Sequence, residues 1–225
     1  MSDAVRTALR GLGQTLMTLG VIVLLFCVYE LKVTGLVTAR EQDRLGDDLR
    51  ASWADPAPRP TGADPVPVSS DIGEGIAVLH VPALADYDPW VVVEGTSVAD
   101  LKAGPGHIPG TALPGEVGNV VLSGHRTTYG APFERFGDLQ PGGLVVLETR
   151  DRWLTYTITG SQIVAPTAIE VTYPVPGEQG AVPTERLLTL TTCHPKYSAR
   201  QRLIVSATLT EDRDKADGPP AELEL

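Results

Sequence analysis

The feature that most restricts the fold of this chain is a series of short apolar runs separated by Gly and Pro. β-Branched and aromatic residues favour strands, whereas Gly and Pro favour the turns that join them. Two short helices, near residues 97–102 and 132–136, fit between the runs. This pattern predicts a mainly β domain over residues 72–211, with seven or eight strands in a closed or nearly closed barrel. The runs cover residues 76–81, 90–94, 120–123, 144–149, 153–160, 185–193 and 202–209.

A second feature is an uncharged stretch near the N-terminus. Residues 11–29 contain no charged side chain, and a helix of that length spans roughly 28 Å, about one hydrocarbon core. Arg6 and Arg10 precede it. Because positive charge is retained on the cytoplasmic side, we predict a single-pass cell-membrane anchor over residues 11–29, with residues 1–10 in the cytoplasm and residues 30–225 outside. The alternative is a signal peptide cleaved near residues 37–39, but the apolar run is longer than a typical signal core.

The segments on either side of the predicted barrel differ from it in composition. Residues 30–53 are charged with scattered Leu and Val, which predicts a helical stalk rather than a packed helix. Residues 55–70 carry five prolines, which predicts an extended linker that completes a spacer over residues 30–71. The alternative for this proline-rich part is a segment that folds back over the domain as a lid. Residues 212–225 are polar and acidic, and we predict a disordered tail there.

Cys193 is the clearest candidate for chemistry. It closes the strand-like run of residues 187–192, and the loop of residues 194–198 follows it. A strand fixes the position of a thiol, while a loop leaves one side of it open to a substrate. The other cysteine, Cys27, lies in the apolar anchor, so the two cannot form a disulfide. The alternative for a lone thiol is a small, buried and inert side chain.

Two further residues are candidates because they also stand at strand ends. His125 follows the run of residues 118–124, and Arg202 opens a strand in which alternation puts it on the face opposite Leu203. Eight residues separate Cys193 from Arg202, enough for neighbouring antiparallel strands. Taken alone, a residue such as His125 is more often a core histidine bonded to backbone, and one such as Arg202 is more often a solvated edge charge. Arg200 is the weaker alternative to Arg202, because no apolar strand follows it directly.

The remaining histidines are weaker candidates. His194 adjoins Cys193, but neighbours on a strand point to opposite faces, which disfavours direct proton exchange. His80 and His107 stand in no catalytic context, and His107 lies in a predicted turn.

Three motifs together resemble the sortases, the membrane-anchored cysteine transpeptidases of Gram-positive bacteria. Four longer stretches resemble the class E sortases of high-GC actinobacteria, and the likeness runs in motif order from about Gly75 to Leu209. The three motifs are Ser123-Gly124-His125-Arg126, Thr189-Leu190-Thr191-Thr192-Cys193 and Arg202-Leu203-Ile204-Val205. The longer stretches are residues 104–107, 110–115, 125–133 and 192–195.

The resemblance implies an eight-stranded sortase barrel and a role for each motif residue. Cys193 would attack the substrate as thiolate, and His125 would act as the acid in its imidazolium form. Arg202 would hold either the oxyanion or the substrate backbone, and the sequence leaves these two roles open. Thr192 would support the thiol or contact the substrate, and Tyr129 would line the groove.

The resemblance also implies a substrate class. The substrate would be an exported protein with a C-terminal sorting signal, Leu-Ala-x-Thr-Gly in preference to Leu-Pro-x-Thr-Gly, cleaved between Thr and Gly. An amine of peptidoglycan or its lipid-linked precursor would accept the acyl group. We expect no cofactor and no metal, and the net charge of −10 argues against nucleic-acid binding. Two other functions remain: a cysteine hydrolase with the same Cys193 and His125, and a non-catalytic wall-binding β domain.

Overall fold

The barrel and the helices that precede it are described by a computed structural model covering residues 3–29, 34–54 and 72–223. Over these residues there are three α-helices and eight strands. The helices are α1 Asp3–Val28, α2 Thr34–Ala54 and α3 Val98–Ala103. The strands are β1 Gly75–His80, β2 Trp90–Glu94, β3 Gly106–His107, β4 Gly118–Gly124, β5 Leu144–Glu148, β6 Arg152–Val164, β7 Arg186–His194 and β8 Gln201–Asp214.

The eight strands close into one barrel in the order β1-β2-β3-β4-β7-β8-β6-β5, with β5 paired back to β1. The β2–β3 and β4–β7 pairs are parallel, and the other pairs are antiparallel. Closure pairs the edge strands that an open sheet would leave exposed. The predicted eight-stranded barrel with few helices is confirmed.

Two elements differ from the sequence-based expectation. Strand β3 has only two residues, Gly106 and His107, and is too short to give a recognisable pattern. Residues 132–135 form turns rather than a helix, and a 3₁₀ helix follows at Phe136–Asp138. The other expected helix is present as α3, which begins after Ser97. A capping box between Ser97 and Asp100 satisfies its first turn.

The barrel interior is filled by alternate residues along the strands, whose side chains face inward. Leu188 and Leu190 of β7 and Leu203 and Val205 of β8 lie in this core, so their sequence neighbours face outward. The largest fully buried side chains of the protein are Tyr156, Phe133, Phe136, Ile76, Leu79, Leu122, Leu147, Leu154, Ile158, Leu188, Leu190 and Ile204. Most of them belong to this single core, which fixes the strand ends that carry the candidate site.

Helix α2 packs against the outside of the barrel, which corrects the expectation of a free stalk. Leu45 and Leu49 are buried against Val78, Val91 and Val93. Full burial of each leucine contributes about 1.5–3 kcal/mol. Two leucines four residues apart make a stripe too narrow to stand out in the sequence, but the outward-facing valines of β1 and β2 match it.

A polar contact fixes the same helix at a second point. The Gln42 amide donates to the carbonyls of Val91 and Ala103, at 3.0 and 2.9 Å, and accepts from the Val91 N–H at 2.7 Å. The Thr38 hydroxyl donates to the Lys102 carbonyl at 2.9 Å. Helix α2 is therefore bound both to the barrel and to α3.

Helix α1 is the one described helix that is long and apolar enough to cross a membrane. It begins at Asp3, earlier than the predicted anchor at residue 11, and none of its side chains is buried against the protein. The predicted linker or lid, residues 55–70, lies outside the described residues.

The C-terminal residues are ordered further than expected. Strand β8 continues to Asp214, which pairs with Arg152, so the disorder predicted from residue 212 is wrong for the described residues. The Asp212 carboxylate accepts hydrogen bonds from Arg152 at 2.6 Å and from Arg186 at 2.8 Å. Beyond the strand, the Lys215 ammonium lies 3.8 Å from the centre of the Trp53 ring in α2. The acidic composition of residues 212–225 suggested a solvated tail, but Arg152 and Arg186 offset the charge of Asp212.

Candidate active site

The strand register brings the three candidate residues to one end of the barrel. In the antiparallel β7–β8 pair, Cys193 is directly opposite Arg202. In the parallel β4–β7 pair, Gly124 is level with Thr192, so His125 leaves β4 at the level of Cys193. Neighbouring strands lie about 5 Å apart. Cys193 therefore stands on the middle strand, with His125 on one side and Arg202 on the other.

The three side chains also share one face of the sheet. Leu190 faces the core, so Cys193, three positions later, faces outward. The same count from Leu122 in β4 turns His125 outward, and Arg202 precedes the core residue Leu203. Directly opposed residues on one face have Cβ atoms about 4.5–5.5 Å apart. The barrel thus presents a thiol, an imidazole and a guanidinium on its outer surface.

The Cys193 thiol is free and partly accessible. The alternative of an inert cysteine required a fully buried side chain, whereas Cys193 faces outward and is partly exposed. The Phe133 N–H donates to the His125 carbonyl at 3.0 Å and holds the backbone where β4 ends. Gly124 permits this approach, because a Cβ there would lie 2.8–3.0 Å from the Phe133 ring.

His125 is half-buried and its ring lies 4.9 Å from the Tyr129 ring, centre to centre. Within the described ranges, neither ring nitrogen of His125 has a hydrogen-bond partner. The Lys102 ammonium lies 5.5 Å from the centre of the Tyr129 ring. Burial, and then the Lys102 charge, lower the pKa of His125 below its ordinary value. Both ring nitrogens of His125 are therefore free of hydrogen bonds to the described residues, and the ring is a weaker base than an ordinary histidine.

Arg202 is the register partner of Cys193, and its guanidinium is hydrogen-bonded to the β7–β8 loop. Its Nη1 donates to the carbonyls of Ala199 and Gln201, each at 3.0 Å. Arg200, the alternative, is exposed in the loop before β8 and has no strand partner opposite Cys193.

Thr192 faces the interior rather than the groove. Its side chain is 3% exposed and its hydroxyl donates to the Gly124 carbonyl at 2.7 Å. This hydrogen bond joins the ends of β4 and β7. The two roles expected for Thr192, support of the thiol or contact with the substrate, stay predictions. Tyr129 stays beside His125, with a backbone φ of 52° in the left-handed region.

Arg126 is the residue near the thiol to which the sequence analysis gave no role. It follows His125 and turns inward, where it is only 8% exposed. Its Nη1 donates to the Cys193 carbonyl at 3.1 Å and to His194 Nδ1 at 2.9 Å. The His194 ring therefore points away from the thiol, as strand alternation predicted. The available signal was an arginine inside the Ser-Gly-His-Arg motif, directly after a strand.

The loop between β6 and β7 covers part of the outer face that carries the site. The Asn119 amide donates to the carbonyls of Val171 and Tyr173 in that loop, at 3.0 and 3.1 Å. Its oxygen accepts from the Thr189 hydroxyl at 2.8 Å. Since Asn119 and Thr189 share the outward face with Cys193, the loop forms a wall beside the sheet surface that leads to the thiol.

The two histidines without an assigned role have carboxylate partners. His107 is 1% exposed, and its Nδ1 is 2.6 Å from Glu94 Oε2. His80 Nε2 is 3.1 Å from Glu148 Oε2, whose other oxygen pairs with Lys215 at 2.7 Å. Both histidines are therefore paired with carboxylates within the barrel.

Comparison with known proteins identifies the family. The family model "Sortase domain" matches residues 79–210. Sortase SrtE1 of Streptomyces coelicolor is 32% identical over 224 residues, covering 96% of this chain and 61% of the relative. Sortase SrtE2 of the same organism is 35% identical over 226 residues, covering 96% and 88%. This chain therefore spans about three fifths of the length of SrtE1 and most of SrtE2.

A solved structure agrees with these relatives. The crystal structure of Sortase E1 from Streptomyces coelicolor, with a tripeptide in its active site, matches with a TM-score of 0.62 and 35% identity. The match covers 67% of this chain and 97% of that one. Family model, relatives and fold all agree with the motifs read in the sequence. The chain belongs to the sortase family, and the two Streptomyces relatives named above are class E sortases.

Proposed function

We propose that this protein is a cysteine transpeptidase that cuts a sorting signal and transfers the resulting acyl group to an amine. Cys193 is the nucleophile, His125 the acid and base, and Arg202 the cation that holds the oxyanion or the substrate backbone. The observation that carries the proposal is the register, which sets Cys193 between His125 and Arg202 on one outward face. Family membership supports the same assignment.

The first half of the reaction follows from these positions. The Cys193 thiolate attacks the carbonyl carbon of the signal threonine, and the negative charge moves to the carbonyl oxygen. As the intermediate collapses, the C–N bond to glycine breaks and the His125 imidazolium gives its proton to the leaving amine. A thioester on Cys193 and a neutral His125 remain.

The second half reverses these roles. An acceptor amine attacks the thioester carbonyl, neutral His125 takes the proton from that amine, and Cys193 leaves as thiolate. The imidazolium and thiolate needed for the next cycle are thereby restored. Because each step needs the proton on the same imidazole, a histidine without hydrogen-bond partners among the described residues suits the task.

Arg202 has donors left for the substrate. Its Nη1 is bound to two loop carbonyls, while Nε and Nη2 have no partner among the residues that the structure describes. A fixed positive charge opposite the thiol stabilises negative charge that develops on the carbonyl oxygen. The loop contacts orient the guanidinium before the substrate arrives. Tyr129 is the proposed groove contact.

The proposed substrate is an exported protein carrying a Leu-Ala-x-Thr-Gly-like signal, and the proposed acceptor is an amine of peptidoglycan or its lipid-linked precursor. Helix α1 serves as a single-pass anchor with its N-terminus in the cytoplasm, since Arg6 and Arg10 lie at that end. The barrel then stands outside the membrane, where both substrates are found.

Product analysis tests this function. The full chain in detergent is incubated with a Leu-Ala-x-Thr-Gly peptide, with and without a diglycine or diaminopimelate amine, and the products are identified by mass spectrometry. We expect cleavage between Thr and Gly, and an amide adduct when the amine is present. Cys193→Ala should form neither product.

The same assay separates the competing functions. A free Thr carboxylate that persists at high amine concentration would assign the protein as a hydrolase. An intact peptide, with a folded protein, would reject the enzyme assignment for this signal.

A further inference from the structure

The feature that the proposed reaction leaves unexplained is the buried guanidinium of Arg126. It reaches from the end of β4 to the end of β7, where Nη1 donates to both the Cys193 carbonyl and His194 Nδ1. Its Nε is buried and has no hydrogen-bond partner among the described residues. Arg126 is thus the side chain that directly joins the strand end bearing His125 to the backbone of Cys193.

This guanidinium has no carboxylate partner within the described ranges. Removing a charge from water without a counter-ion costs several kcal/mol, so buried arginines are ordinarily paired. A side chain that only filled space would be apolar here. Departures from such rules are concentrated at functional sites, where another requirement outweighs the cost.

The geometry shows what the guanidinium does to its two acceptors. Arginine has no acceptor, so in this contact the guanidinium donates and His194 Nδ1 accepts. The ring is held on the inner side of β7, away from the thiol. The carbonyl of Cys193 is bound to the same cation, while the Cys193 side chain lies on the outer face of the sheet, the face to which the strand register also assigns His125.

We propose that Arg126 is a positioning residue for the nucleophile. By binding the Cys193 carbonyl and the His194 ring with one nitrogen, it fixes the last residues of β7 so that the thiol meets His125 and not His194. This inference rests on the proposed transpeptidase function, and it adds a second arginine whose role differs from that of Arg202. Arg126 does not contact the substrate.

The surroundings of Arg126 provide an independent means of moving it. A Cβ at Gly137 would lie 2.7 Å from Arg126 Nη2. Gly137→Ala therefore displaces the guanidinium while leaving every charge in place. Arg135 is a matched control, because it is an exposed arginine on the neighbouring turn and donates to Ala85 instead.

The test compares Arg126→Gln, Arg126→Lys, Gly137→Ala and the control Arg135→Gln in the full chain. Initial rates give kcat and KM for the signal peptide, and iodoacetamide labelling of Cys193, located by peptide mass, gives thiol reactivity without substrate. A displacement of about 1 Å at a reacting group lowers turnover by up to ~10²-fold. We expect Arg126→Gln to lower kcat by about this factor, with KM changed by less than about twofold.

The other variants sharpen the result. Lysine offers one ammonium to two acceptors, so Arg126→Lys should recover part of the lost kcat, and Gly137→Ala should lower kcat with KM unchanged. Arg135→Gln should match the parent protein in all measurements. Labelling of Cys193 should change in rate in the Gln and Ala variants and remain at the parent rate in the control.

Three results would overturn the inference. They are an Arg126→Gln protein that melts lower but keeps the parent kcat, a rise in KM alone, or an unaltered labelling rate. If Arg126→Gln does not fold, the Lys and Gly137→Ala variants decide by the same criteria. Failure of the transpeptidase proposal itself is seen separately, as absence of product from the parent protein, while the labelling rates still report on Arg126.

Discussion

The histidines at two places in this barrel, His107 and His125, differ in what surrounds them. His107 is almost fully buried, and both of its ring nitrogens have partners: Glu94 on one side, and Ala112 and Thr111 on the other. His125 is half-buried against Tyr129, without a hydrogen-bond partner in the described part of the chain. One ring is fully bonded within the protein, and the other has its nitrogens available.

The difference distinguishes a histidine that is bonded within the fold from one that is able to exchange a proton with a substrate. A ring whose donors and acceptors are all satisfied inside the protein cannot exchange a proton with a substrate unless those bonds break. A ring that is partly buried but has no such bonds to the described residues retains that capacity, and burial and the Lys102 charge lower its pKa below the ordinary value. Burial alone therefore says less about function than the hydrogen bonds that accompany it.

The largest expected effect comes from removing His125. His125→Ala deletes the proposed acid and base, a function that contributes roughly 10²–10⁴-fold to a reaction. We expect kcat/KM to fall by about 10³-fold with an unchanged melting temperature, because the ring makes no hydrogen bond to the residues that the structure describes. Rates on the signal peptide and thermal unfolding of the same samples provide the check.

His107→Ala is the matched control and should behave in the opposite way. It should lower the melting temperature while leaving the rate per folded molecule near that of the parent. A His107→Ala protein that is stable and inactive would remove the distinction between the two rings.

The next prediction concerns the buried pair of Glu94 and His107. Glu94→Ala leaves His107 buried without its carboxylate, and loss of one member of a buried pair costs about 3 kcal/mol. A domain of this size should then melt roughly 10 °C lower. Calorimetry measures this directly. A melting temperature within a degree or two of the parent would show that the pair contributes little to stability.

The smallest effect concerns the charge near His125. Lys102 is exposed. Burial is the larger cause that lowers the pKa of His125, and the positive charge of Lys102 is the second. In Lys102→Gln the pKa of His125 should rise, so a larger share of rings is imidazolium at neutral pH. We expect turnover at pH 7.5 to increase by about twofold and the acidic limb of the pH–rate profile to move to higher pH. A lower turnover at that pH would contradict the assigned role of the imidazolium.

The sequence predicted the barrel and the three candidate positions because both depend on local periodicity. Alternation in residues 202–209 gave the face of Arg202, and the eight-residue spacing gave its proximity to Cys193. The family motifs led to the same residues. These signals are contained in runs of adjacent residues, which is why they could be read without a structure.

What the sequence did not predict depends on contacts between distant segments. Gln42 gives no signal in its own helix, and its role appears only beside the backbone of Val91 and Ala103. Arg126 reads as part of a motif until its guanidinium is seen on the Cys193 carbonyl. The acidic residues after 211 appeared solvated because the arginines that pair with Asp212 are remote in sequence.

The central claim is that Cys193 forms a covalent bond to the substrate beside a histidine that is free to move protons. Intact-protein mass spectrometry of rapidly quenched mixtures with the Leu-Ala-x-Thr-Gly peptide and no added amine tests it most directly. The account predicts a thioester adduct on Cys193 that disappears when an amine is added, and that accumulates in neither Cys193→Ala nor His125→Ala. An adduct on another residue, or product formed by the Cys193→Ala protein, would contradict it.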